Sequence, residues 1–233
     1  MPATDDKTAK KPDPKSGSSD IWNNTSKMIS ANFAPFVIMV ILFIVASAII
    51  FLVFSAIEGQ ILGRFFLGID YGALAIVTAI QAALIAFVYL WFIGAFYRLA
   101  DEFKAKTKNI NYVSLVSQGL HDALAHPNTL LAMAALAFVG GLIGTFLGGF
   151  GYLAIFIESI FIAGAIGIGL AAFVADKAQW YNFWDLFAQV NKESSNAGII
   201  LYLTLLVELV PILNFIEVAM IPVAVMLLSQ KKK

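Results

Sequence analysis

Between Pro127 and Ala175 the chain carries a single charged residue, Glu158. About 20 apolar residues suffice to take a helix across the hydrocarbon of a bilayer, so this run is too long for one crossing. In lipid every backbone N–H and C=O must be satisfied within the chain, which makes such a run helical. The sequence Gly148-Gly149-Phe150-Gly151 lies near its middle and is a natural turn. It divides the run into spans over 129–147 and 152–175. Two further uncharged runs, Phe33–Ile57 and Gly72–Tyr97, each supply one span. Composition points the same way. The chain is 60% hydrophobic and 13% charged, whereas a soluble domain is about half apolar and about a quarter charged.

The last apolar stretch, Gly198–Ser229, is interrupted by Glu208, Pro211, Asn214, Glu217 and Pro222. It fits neither one crossing nor two full ones, and charge bias decides between them, because Lys and Arg concentrate on cytoplasmic loops. Two short spans over 198–211 and 214–229, hinged around Val210–Asn214, place four basic segments on one side. These are the N-terminal tail (Lys7, Lys10, Lys11, Lys15, Lys27), the loop after span two (Arg98, Lys104, Lys106, Lys108), Lys177 with Lys192, and Lys231–Lys233. Only Arg64 then lies outside, whereas a single final crossing would carry the terminal lysines out as well. The expected topology is six spans in the cell membrane with both termini cytoplasmic. Residues 1–20, rich in Lys, Asp, Ser and Pro, bury too little to fold and are expected to be a disordered tail. One membrane domain occupies 21–230.

Each odd-numbered span is preceded by a segment with a helical apolar pattern. Ile21, Trp22, Met28 and Ile29 precede span one; Val113, Val116, Leu120 and Leu124 precede span three; Trp180, Phe183, Trp184, Phe187 and Val190 precede span five. The expected plan is an all-α polytopic bundle of three hairpins, each led by a cytoplasmic amphipathic helix lying in the interface plane. The units run roughly over 21–98, 112–175 and 183–229.

The segment Val174-Ala-Asp-Lys-Ala-Gln-Trp-Tyr-Asn-Phe-Trp-Asp-Leu-Phe-Ala-Gln-Val190 combines a span end, a short acidic turn and an amphipathic helix. The ending Leu209-Val-Pro-Ile-Leu-Asn-Phe-Ile216, followed by Ile221-Pro222, makes a short Pro-containing final pair. In both features the chain resembles six-helix proteins of the YciC-like and glycerophosphodiester-phosphodiesterase membrane-domain type, over about 21–229. The resemblance implies an integral membrane protein of undefined role and carries no catalytic residue across.

Little in the sequence supports covalent or metal chemistry. There is no cysteine, and no serine stands in a Gly-x-Ser-x-Gly elbow. His121 and His126 with Asp122 offer part of a ligand set, but their spacing does not stack them on one helix face, and a solvated pair is the simpler reading. No enzyme activity, metal or cofactor is expected. The balance of fifteen basic and fifteen acidic residues argues against nucleic acid as a partner.

Two groups of residues stand out. Gly140, Gly144 and Gly148 recur on span three, and Gly164, Gly167 and Ala171 on span four, where small residues let helix backbones approach closely. A glycine-lined pore or gate is the alternative. The intramembrane carboxylates Glu158, Glu208 and Glu217 fall in the outer half of the six-span arrangement and form a candidate acidic cluster. Ionisable groups at such depth cost about 3 kcal/mol on insertion scales and are functional by default, unless short spans leave them at the wet interface. Gln81 is the conspicuous polar residue of span two. The expected role is accessory or organising, through helix packing and contacts with membrane lipids, other membrane subunits or a second copy. The alternative is a small transporter or channel using the outer-half carboxylates.

Overall fold

The computed structural model describes residues 20–65, 71–174, 180–206 and 214–231. The tail over 1–19, Glu208 and most of the hinge at Val210–Asn214 lie outside them. The described residues form nine α-helices and one 3-10 turn, with no strand among them. In chain order the helices are α1 (Asp20–Ala31), α2 (Phe33–Phe65), α3 (Tyr71–Lys104), α4 (Tyr112–Ala125), α5 (Pro127–Phe146), α6 (Tyr152–Ala172), α7 (Trp180–Glu193), α8 (Ser195–Leu206) and α9 (Asn214–Ser229). The fold is that of a membrane-embedded helical protein.

Four helices, α2, α3, α5 and α6, are long and apolar enough to cross a membrane. At 1.5 Å per residue, the 12 residues of α8 reach only about 18 Å and the 16 of α9 about 24 Å, short of a hydrocarbon core of about 30 Å. The helices also outrun the uncharged runs. The first run ends at Ile57, yet α2 continues through Glu58 to Phe65, and α3 passes Arg98 to reach Lys104. A charge ends the stretch that lipid tolerates, but the internal hydrogen bonds of a helix continue into the interface regardless.

The short helices α1, α4 and α7 stand where the apolar patterns begin before spans one, three and five. Local chemistry sets their ends. The Asn32 amide donates to the Met28 carbonyl (2.9 Å) at the break between α1 and α2. The Asn111 side chain caps α4 by accepting from the Ser114 amide (3.1 Å). Pro127 opens α5 at the first helical position, where its missing N–H costs nothing.

Helix α3 is the axis of the bundle, packed against α2, α4, α5, α6 and α9. Leu90, Ile93, Phe96 and Leu99 on it are fully buried. Where α3 meets α5, the approach is set by small residues: a Cβ added at Gly141 would stand 2.9 Å from the Ala79 Cα. Helix α2 is held differently, along one stripe. Phe36, Met39 and Phe43 are buried, while Ile41, Ile44, Val45, Ile49 and Leu52 are exposed.

Candidate functional site

Between α2, α3, α5 and α6 lies a cavity of about 190 Å³. Its walls are mostly apolar, among them Phe51, Ala82, Met133 and Ile166, and three polar side chains reach it: Thr78, Gln81 and Glu158. The helices supply these groups by simple spacing. Thr78, Gln81, Ala82 and Ile85 follow at three and four residues along α3 and so share one face. Glu158 sits in the second turn of α6. Its side chain lies over α5 at a glycine, since a Cβ at Gly144 would meet the carboxylate Oε2 at 2.5 Å. Any larger residue there would take the space the carboxylate fills.

Gln81 is only 8% exposed, and among the described residues its carboxamide has no hydrogen-bond partner. Its carboxamide opens on the cavity, where a guest or water can reach it. Thr78 donates its hydroxyl proton to Glu58 Oε1 of α2 (3.0 Å). Glu58, Thr78, Gln81 and Glu158 therefore form a polar band across three helices. Toward the other end of α3, beyond Tyr89, the interior closes: Leu90, Ile93, Phe96 and Leu99 are fully buried, as are Leu170 on α6 and Leu227 and Leu228 on α9.

Of the candidate acidic cluster, only Glu158 is placed in full. Glu208 lies outside the described residues, and position 217 falls in the first turn of α9. Glu58, at the edge of the first uncharged run, is the acid that sequence reading passed over. The signal was available: an acid on the same helical run as the span, facing a threonine on the next.

The glycines divide by what they face. Gly140 lies against Phe161 of α6, where an added Cβ would come within 2.7 Å, and Gly144 lies against Glu158. Gly148 faces the Tyr71 hydroxyl at 3.4 Å. On α6, Gly164 meets only Leu136, at 3.8 Å, and Gly167 faces the Phe183 ring of α7, at 3.4 Å. Thus Gly140 and Gly144 of α5 face α6, Gly141 faces α3, and Gly167 of α6 turns toward α7. The tightest approach among the described glycines that meet backbone is elsewhere: a Cβ at Gly119 of α4 would stand 2.6 Å from the Ala95 backbone nitrogen of α3.

The amphipathic face of α7 is used for packing more than for exposure. Phe183, Leu186 and Val190 are buried, Phe187 is half-buried, and Trp184 is exposed. Near the histidines, Asp122 accepts two hydrogen bonds from the Arg98 guanidinium (2.7 and 2.8 Å). His126 Nδ1 lies 2.7 Å from the Asp122 carbonyl, and its ring packs on Phe173 at 5.0 Å between centroids. These contacts tie α4 to α3 and α6 and leave Asp122 committed to arginine. No family model matches this chain, and neither does any curated protein or solved structure.

Proposed function

We propose that the chain is a six-span protein of the cell membrane with both termini cytoplasmic. It has three units of in-plane helix and transmembrane hairpin, of the YciC-like type, and its role is accessory or organising, not enzymatic. The observation that carries this is where charge and polarity sit. Lys27 of α1 and Lys104, Lys106 and Lys108 after α3 border one groove. The Lys104 ammonium donates to the Ser229 carbonyl at the end of α9 (2.5 Å), and Lys231 pairs with Glu193 at the end of α7. One end of the bundle thus gathers the basic segments, as a cytoplasmic face requires. Among the described residues the interior behind that face is mainly apolar, while α2 turns most of its apolar surface outward to lipid or partner helices.

Topology is tested by single cysteines in the cysteine-free chain. Thr107→Cys and Lys233→Cys should react with an impermeant maleimide only after lysis, and Tyr152→Cys, in a residue 80% exposed, should react in intact cells. Labelling of Lys233→Cys before lysis would remove the sixth crossing.

A second reading, a small transporter or channel for cations, is favoured by the partnerless Gln81 beside Glu158. A flux assay on reconstituted vesicles separates the two. The organising role predicts Na⁺ and H⁺ leakage no faster than in protein-free vesicles. Flux above that level, abolished by Glu158→Gln, would replace the organising reading with the transporter.

A further inference from the structure

Helix α3 ends in an unusual way. The Lys106 amide bonds to the Phe103 carbonyl (3.2 Å) and the Thr107 amide to the Glu102 carbonyl (3.2 Å). This is a Schellman ending, whose left-handed position is ordinarily glycine or asparagine. Here it is occupied by Lys106 at φ 55°. A lysine in the left-handed region is strained relative to glycine, which has no Cβ, so glycine would serve the backbone better here. The side chain has a use that the backbone does not explain.

That use is suggested by what stands around it. Lys106 borders an open groove of about 700 Å³ between the end of α3, helix α1 and the end of α9. Lys27, Lys104 and Lys108 border it too, and among the described residues no acidic side chain does. Met28, Ala31 and Phe103 form an apolar floor. Lys104 is engaged with the Ser229 carbonyl, and Lys27, Lys106 and Lys108 bring further like charge to the same groove, which an anion entering it would offset. A free anion would leave the apolar floor wet, whereas a phospholipid would lay its glycerol and first methylenes on it.

We propose that this groove binds the phosphate headgroup of an anionic phospholipid, with Lys106 and Lys108 as principal contacts. The assignment rests on the reading that this end of the bundle lies at the cytoplasmic surface, where anionic lipids are recognised by lysines beside the membrane.

The test uses the full-length protein in an uncharged detergent, titrated calorimetrically with dihexanoyl phosphatidylglycerol, dihexanoyl phosphatidylcholine and inorganic phosphate. Phosphatidylglycerol should bind at least tenfold tighter than either of the others. At about fivefold per lysine, the double variant Lys106→Gly/Lys108→Gln should lose about twenty-five-fold in affinity. It should melt no lower than the parent without lipid, because glycine relieves the strained turn. Lys192→Gln, at a basic residue of α7 that does not line the groove, should bind as the parent does. Equal binding of phosphatidylcholine would overturn the proposal, as would equal binding of inorganic phosphate, which would make the groove a phosphate-ion site. So would an equal loss in Lys192→Gln, which would mean diffuse attraction. The labelling of Thr107→Cys reports separately on which side of the membrane the groove lies, so a wrong topology and a wrong ligand give different results.

Discussion

Gly119→Ala should undock α4 from α3 and cost about 3 kcal/mol, the upper part of the range for overpacking a tight contact. The added methyl would stand 2.6, 2.7 and 2.8 Å from the Ala95 nitrogen, Cβ and Cα. Two of these are backbone atoms of α3 and the third is a Cβ fixed to that backbone, so no side chain can swing aside. On the facing side, a Cβ at Gly94 would meet the Gly119 carbonyl at 3.0 Å. The two helices therefore cross with almost nothing between their backbones, and relief requires moving α4 bodily. That movement would stretch the hydrogen bond from Trp91 Nε1 to the Val116 carbonyl (2.6 Å) and the Arg98–Asp122 pair. The expected result is a lowered melting temperature together with a changed near-ultraviolet signal from Trp91. Gly59→Ala is the control: nothing lies within 4 Å of its added Cβ, and alanine gains up to about 1 kcal/mol of helix propensity over glycine. Equal stability of the two variants would mean that α4 is not seated on Ala95.

Much of the fold was legible because it follows from solvent. Uncharged runs must be helical in lipid, and the positions of α1, α4 and α7 follow from apolar periodicity. What escaped were features set by pairs of elements. Gly119 sits in an amphipathic segment with no glycine pattern around it, so its closeness to Ala95 is visible only once α3 and α4 are crossed. Likewise, the ends of α2 and α3 are fixed by helix hydrogen bonds and not by the last uncharged residue.

The candidate site shows the same division. Glu158 and Gln81 each stand out as polar residues in apolar runs, and each was legible alone. That they share one cavity depends on which faces α3 and α6 turn to each other, and α3 has no amphipathic pattern to announce its faces. The Glu58–Thr78 bond needs the register of α2 against α3, which the sequence encodes only through the shapes of packed side chains. The basic groove is the opposite case: its lysines were read as topology markers, and their convergence on a hollow beside Met28, Ala31 and Phe103 is visible only in the fold.

Phe43→Ala should release most of the hold of α2 on the bundle. Phe36, Met39 and Phe43 recur at three and four residues on one face of α2, and Phe43 is completely buried. Its ring centroid lies 5.3 Å from Tyr89, 5.2 Å from Phe92 and 6.2 Å from Phe96, all on α3. In water, burying this ring would count chiefly as hydrophobic transfer, but lipid tails are as apolar as the protein interior, so that contribution largely cancels. What remains is lost dispersion contact around the void. A void of about 100 Å³ at about 24 cal/mol per Å³ costs about 2.4 kcal/mol, and the lost aromatic pairing adds about 0.5–1.5 kcal/mol. The sum, about 3 kcal/mol, exceeds what the exposed side of α2 should show. Leu52, 65% exposed, has lipid for neighbours in either state, and Leu52→Ala should be nearly neutral. Thermal unfolding in one detergent at one lipid content compares the two directly. Equal losses would mean that α2 meets its neighbours on both faces, and the outward surface that supports the organising role would then belong to another helix.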